Sequence, residues 1–306
     1  MSLSLGESAT PGRERAARPG AWLTELSLVG MALIWGVNFS VVKFGTSVID
    51  PLAYNGVRVM LAGLLLTGIV VARRMPLPSR RVSIALLGLG VLGNGIYQVF
   101  FIEGIARTRA SDAALVIAAT PAFIAVIGRV RGVERVATRG AFGIALSIAG
   151  IALVVLGSTT GKEGQGTVLG DLLVLFGALC WAAYTVLLKP YTERVGGLQL
   201  SAFTMMGGAL PLFAAAWPAV SHAPWRSLPT MGWLAIVYSG VFALVIAYLI
   251  WYNGVRVIGP TRTSMYSNLQ PLVAVLVAWP LLGEIPTAWQ IVGATCIMGG
   301  LVLTRA

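Results

Sequence analysis

Apolar segments of helix length recur along almost the whole chain, near 25–45, 52–72, 82–104, 110–128, 138–157, 168–188, 198–218, 231–253, 262–282 and 287–304. At 1.5 Å per residue, a segment of about 20 residues crosses roughly 30 Å of hydrocarbon. No water is present there to bond free N–H and C=O groups, so each span must satisfy its own backbone as a helix. The pattern predicts an all-α integral membrane protein with ten transmembrane helices. Only 11% of residues are charged and 57% are hydrophobic, with a mean hydropathy of +0.84. Soluble domains carry about 25% charged residues, so a soluble helical bundle is excluded.

The chain holds 22 Lys and Arg against 11 Asp and Glu, a net charge of +11. Such an excess suggests nucleic acid until its distribution is considered. With the N-terminus in the cytosol and sides alternating, the groups at Arg13–Arg18, Arg73–Arg81, Arg129–Arg139 and Lys189–Arg194 all fall inside, as do Arg256, Arg262 and Arg305. Only Lys43, Arg107, Arg109, Lys162 and Arg226 fall outside, and Arg58 lies within a span. This is the positive-inside bias. It predicts a multi-pass protein of the cell (inner) membrane with both termini cytoplasmic, attracted to membrane lipids and not to nucleic acid. Residues 1–24 read as a disordered cytoplasmic N-terminus, rich in Arg, Gly and Pro. No small-residue cleavage site follows a short apolar core, so the first span is expected to be retained.

The second half of the chain repeats the first. An offset of 150 residues pairs Gly90 with Gly240, Gly104 with Gly254, Pro121 with Pro271, Glu134 with Glu284, Gly143 with Gly293 and Gly150 with Gly300. An offset of 146 pairs Trp35 with Trp181 and Lys43 with Lys189. Gly, Pro and Glu in membrane helices mark backbone or charge constraints, so these matches outweigh shared greasiness. Five helices per half force the halves into opposite orientation, an inverted-topology repeat with its binding site near the midplane between them. The expected organisation is a first repeat at 25–157, a linker loop at 158–167 and a second repeat at 168–304.

Trp35-Gly36-Val37-Asn38-Phe39 resembles the opening motif of the EamA family in the drug/metabolite transporter superfamily. So do Pro51 followed by Arg58, Pro121 in the fourth segment, and Gly283-Glu284-Ile285-Pro286 followed by Gly293 and Gly299-Gly300. The first half departs from this ending at Val136, where the second has Pro286. The resemblance covers residues 25–304. It implies a ten-helix basket that works as a secondary active or facilitative transporter, exporting small metabolites such as amino acids by alternating access. Aromatic drugs or other metabolites are the alternative cargo, and a lipid flippase or membrane scaffold the alternative role.

Polar residues inside spans should face protein or a wet cavity. In the third segment Asn94, Tyr97, Gln98 and Phe101 follow the i, i+3, i+4, i+7 rule and share a face. The eighth presents Tyr248, Trp251 and Tyr252, and the ninth Thr263, Tyr266 and Gln270 with Ser267 and Asn268 nearby. Trp35 and Asn38 in the first segment, and Trp181 and Tyr184 in the sixth, complete a candidate polar-aromatic lining. Arg58 shares a face with Tyr54, Asn55 and Ala62, and either binds a substrate carboxylate or serves as a structural cation. Glu103 is the candidate for proton coupling, with pairing to Arg107 four residues on as the alternative. Few acids lie deep in the spans, which argues against a carboxylate trap for cations.

Pro121 and Pro271 remove backbone bonds at Ile117 and Ser267 and are candidate bending points or static kinks. Gly143, Gly150, Gly293, Gly299 and Gly300 thin the fifth and tenth segments for close contact, either between the halves or across a homodimer of otherwise monomeric chains. Glu134 and Glu284 are expected at helix starts. No His-Glu-x-x-His and no Walker-type phosphate loop occurs, and His222, the lone histidine, falls in a loop. Cys180 and Cys296 sit inside helices as packing residues. The sequence therefore predicts no enzyme activity, cofactor or metal.

Overall fold

A computed structural model describes residues 21–131, 138–159, 167–257, 263 and 266–305. Every regular element among them is helical. Eight rods are long and apolar enough to cross a bilayer: 22–48, 51–72, 80–107, 110–130, 139–157, 168–192, 197–222 and 230–254. A shorter apolar helix, Leu269–Leu282, and a last one, Ala288–Arg305, follow. The expectations about residues 1–20, Glu134, Val136, Lys162 and Arg262 lie outside the described residues.

The helices are α1 (Ala21–Val48) and α2 (Pro51–Ala72), then α3 (Arg80–Gly90), whose rod widens into a π turn at Val91–Ile96 before α4 (Tyr97–Arg107). Next come α5 (Ala110–Ala118), α6 (Thr120–Val130), α7 (Thr138–Thr159), α8 (Val168–Thr192) and α9 (Gly197–His222). Then α10 (Thr230–Val237) runs through a longer π segment, Tyr238–Ile246, into α11 (Ala247–Val257); α12 (Leu269–Leu282) and α13 (Ala288–Arg305) end the chain.

Helix ends follow local chemistry. Asp50 precedes Pro51, and its carboxylate accepts from the N–H groups of Leu52 (2.9 Å) and Ala53 (3.1 Å). Proline at N1 lacks a donor that would be orphaned anyway, so the pair stops α1 and starts α2. Thr167 caps α8 through the Gly170 N–H. Gly283 ends α12 with φ +69°, a left-handed conformation that a side chain would strain. Thr287 and Gln290 then form a reciprocal capping box: the Thr287 N–H donates to the Gln290 amide (2.9 Å), and the Gln290 N–H donates to the Thr287 hydroxyl (3.2 Å).

The fourth and ninth spans depart from the expected continuous helices. Pro121 stands in the first turn of a new helix, and the backbone breaks at Ala119. The Thr120 hydroxyl donates to the Ile117 carbonyl (2.6 Å), one of the acceptors that the break frees. Ahead of Pro271, residues 267 and 268 form a turn, and α12 begins only at Leu269. Each proline restarts a helix where the sequence suggested a kink within one.

Packing is closest where side chains are smallest. α7 lies along α13. A methyl on Gly150 would stand 2.7 Å from the Gly293 carbonyl oxygen, and one on Gly293 would stand 2.8 Å from that of Gly150. Gly300 approaches the Gly143 carbonyl in the same way. These faces are thus turned toward each other within one chain. α2 lies along α9, and α9 also crosses α3 and its π turn where Gly90, Gly207 and Gly208 press on opposing backbone. Large apolar side chains such as Leu64, Phe142, Phe176 and Leu276 point outward, whereas the largest fully buried side chain is Arg58. That inside-out arrangement suits lipid as solvent.

Candidate functional site

One cavity opens among α1, α2, α4, the break between α5 and α6, α8, the second π segment with α11, and the turn before α12. It offers about 120 Å³ to water-sized molecules, the scale of a small organic solute. The two helix breaks face into it through Ile117, Ala118, Thr120 and Pro121 on one side and Ser267, Asn268, Gln270 and Pro271 on the other.

Its wall is a run of touching aromatic rings. Trp35 meets Trp251 at 5.8 Å and Tyr248 edge-on at 5.9 Å and 87°. Tyr248 meets Trp181 at 5.8 Å, Trp181 meets Tyr97 at 5.1 Å, and Tyr97 meets Phe101 at 5.6 Å, with Phe39 beyond at 5.8 Å. Edge-to-face and tilted contacts of this kind lock ring orientation. The Trp35 indole N–H is anchored on the Ala243 carbonyl (2.9 Å), which belongs to the π segment. A rigid apolar wall with two unusual backbone turns behind it is a good receptacle for a flat or greasy group.

Arg58 supplies the charge. Its Nε donates to Asn55 Oδ1 (3.0 Å) and its Nη2 to Gln98 Oε1 (2.6 Å). Its guanidinium carbon lies 5.8 Å from the Tyr54 ring and 5.9 Å from that of Phe101. Asn55 in turn donates to the Gln98 carbonyl (2.9 Å), and Tyr54 is held by Ser239 (2.7 Å) and Ala235 (3.0 Å). The face expected from sequence therefore exists, with Tyr54 and Asn55 both touching Arg58. Neutral amides and rings hold this cation; among the described residues it pairs with no carboxylate. Asn38, also on the wall, has a buried side-chain oxygen with no hydrogen-bond partner.

Most of the expected lining is brought together: Trp35, Asn38, Arg58, Tyr97, Gln98, Phe101, Trp181, Tyr248, Trp251 and Gln270 all face the cavity. Five others stand elsewhere, among them Thr263, fully buried beside Gly254. Asn94 is fully buried behind the wall, taking a hydrogen bond from Tyr248 (3.3 Å). Tyr184 and Tyr252 bond each other (3.1 Å) in the same rear layer, and Tyr266 packs on Leu28 and Met31. Asn94 misses the wall because the π turn at Val91–Ile96 is wider than an α turn, so the 3.6-residue period fails between Asn94 and Tyr97. Glu103 pairs with Arg107 at the end of α4, away from the cavity. Ala114, Ile124, Thr185, Ala243 and Leu244 also line the site. Thr185, a polar residue within a span, carried the signal that could have found it; the other four are apolar, and nothing in the sequence separates them from lipid-facing neighbours.

A second polar cluster seals one end of the molecule. The Glu284 carboxylate accepts from the Ala110 N–H (2.8 Å), the Ser111 N–H (3.0 Å) and the Ser111 hydroxyl (2.6 Å), which caps α5 and meets the expectation of a helix-start role. Arg109 reaches the Ile285 carbonyl (2.6 Å) and lies 3.9 Å from Glu284. The Gln290 amide donates to Asp112 (2.7 Å), and the Thr108 hydroxyl to Asp171 (2.5 Å). Lys43 covers the last carbonyls of the third span at Ile105 and Ala106, both at 3.1 Å. Sequence reading passed over Asp112 and Asp171, which are 3% and 0% exposed. Their placement in the first turn of α5 and of α8 was the available signal. Cys180 and Cys296 are free and half-buried, His222 is exposed as the last residue of α9, and no cluster of metal-ligating side chains occurs among the described residues.

The model of the EamA-like transporter family matches this chain twice, at residues 22–156 and 168–306. The uncharacterised inner membrane transporter YedA of Escherichia coli is 30% identical over 265 residues, covering 84% of this chain and 82% of YedA. The uncharacterised transporter YyaM of Bacillus subtilis is 25% identical over 280 residues, 90% of this chain and 92% of its own. A solved crystal structure superposes with a TM-score of 0.64 at 19% identity, covering 92% of this chain and 98% of its own length. That likeness concerns the fold.

Proposed function

The chain belongs to the EamA-like transporter family, and from that premise we propose that it exports small metabolites such as amino acids, by alternating access through the aromatic-walled cavity. The observation that carries this reading is the cavity itself: both family-matched segments build it, and both broken spans face it. Breaks at Pro121 and Pro271 leave the backbone there without a full helical ladder. Each span can then bend without losing bonds it never had. The transporter is secondary active or facilitative, since no nucleotide-binding loop is present in the sequence.

In this reading ten spans form two inverted repeats, with both termini in the cytosol. The pairing of helices supports it. α7 runs against α13 and α2 against α9, each pairing one segment with its counterpart five spans away. α1 on α12 is matched by α6 on α8, and the π turns fall in the third and eighth spans, again five apart. Purified protein in liposomes should exchange radiolabelled amino acids in counterflow without ATP. A flat signal across a broad amino-acid panel rejects the named substrate class. Trp251→Ala should cut the exchange rate by about tenfold or more while the protein still folds, through loss of one large stacking face.

A further inference from the structure

Within the reading of this cavity as the transport site, we infer that Arg58 is a carboxylate anchor, so that the site selects solutes with a carboxylate on an apolar or aromatic body. The cavity wall holds an imbalance of charge. Arg58 is 1% exposed in a span, where a lone cation is expensive, and buried arginines of this kind normally meet an acid. Here Asn55 and Gln98 take two of the five N–H groups, and two rings give only weak cation–π attraction at 5.8 and 5.9 Å. Arg58 is one of the residues that line the cavity, and among the described residues no carboxylate cancels its charge. A carboxylate arriving there supplies the missing negative charge and two acceptor oxygens matched to the planar fork.

Asn38 lines the same cavity, and its buried, unpartnered side-chain oxygen becomes an acceptor for an ammonium or hydroxyl of the same solute once the amide turns inward. A solute with a carboxylate for Arg58, a donor for Asn38 and an apolar remainder for the ring wall satisfies all three surfaces at once. An amine or a neutral aromatic leaves the arginine as it stands and gains only the wall. The site thus separates acids from their isosteric amides by charge, not by shape.

The test uses the full-length protein in lipid nanodiscs with three probes on one phenylpropyl skeleton: 3-phenylpropionate, 3-phenylpropanamide and 3-phenylpropylamine. The acid should bind about 10- to 100-fold more tightly than the amide or the amine, read by thermal protection and by inhibition of counterflow. Arg58→Gln should erase the difference between acid and amide, whereas Arg58→Lys should keep part of it. Equal binding of acid and amide to the wild-type protein overturns the inference, and that comparison stands even where Arg58→Gln fails to fold. If amino acids are exchanged but their amides compete equally well, the anchor is wrong and the transport reading survives. If no amino acid is exchanged yet the acid protects and the amide does not, the anchor stands and the amino-acid reading falls.

Discussion

Arg58 and Asn38 hold opposite halves of one recognition problem, a donor with surplus charge and an acceptor with nothing to accept. Asn38→Leu should therefore weaken phenylalanine more than 3-phenylpropionate in competition assays, by roughly five- to tenfold, because only the first carries a donor for the lost amide. Equal losses for both would assign Asn38 to packing. Glu103 is the contrasting case. Its partner Arg107 lies one turn away and is 44% exposed, so the pair is a solvated helix contact. Glu103→Gln should leave the pH profile of counterflow unchanged, while a flattened profile would restore it as the proton carrier. The shared face of Arg58, Tyr54 and Asn55 was legible because all three sit on an unbroken α-helix, where spacing maps directly to direction.

Elements decide how those side chains are aimed. The turn at Gly283 is small, yet it carries Glu284 onto the N–H groups that open α5, some 170 positions earlier in the chain. Glu284→Ala removes that cap and leaves Arg109 buried without its acid, at a cost of about 2–4 kcal/mol. The unfolding midpoint in detergent should fall by several degrees, with Glu284→Gln intermediate. Gly283→Ala, strained at φ +69°, should cost about 1–2 kcal/mol and leave substrate preference alone. Both π segments escaped the sequence because no residue type requires them. A widened turn is chosen by what packs beside it, here the glycine crossing of α9 on the third span. The breaks in the fourth and ninth spans were legible only as prolines, since a mid-span proline can bend a helix or restart one.

Across the whole molecule the basic loops and the tertiary contacts agree about which ends lie together. Gln199, in the first turn of α9, donates to the Pro76 carbonyl, joining two loops at one end of the bundle. Lys43, Glu284 and Asp171 gather at the other. Single cysteines at positions 80 and 194, in a chain with Cys180 and Cys296 replaced by alanine, should label together from the cytosolic face. A cysteine at 222 should label from the opposite face. Labelling of 80 and 194 from different sides would refute the inverted arrangement. The close fit of α7 on α13 through Gly150, Gly293 and Gly300 uses these glycines within one chain.

Hydrophobic length sufficed to mark this as a multi-pass helical membrane protein, and charge asymmetry is what the proposed orientation rests on. Both are sums over local residues, and the bilayer reads them one segment at a time. The recurring Gly and Pro positions likewise announced where helices would touch or break. Three further features needed the packed molecule. One is a cation without an acid, which is defined by the lack of any carboxylate beside it among the described residues. Another is a tyrosine layer hidden behind the wall. The last is a carboxylate that caps a helix far away in the chain. Each depends on which spans become neighbours and in what register, and that follows from side-chain fit between helices, a property no single stretch of sequence contains.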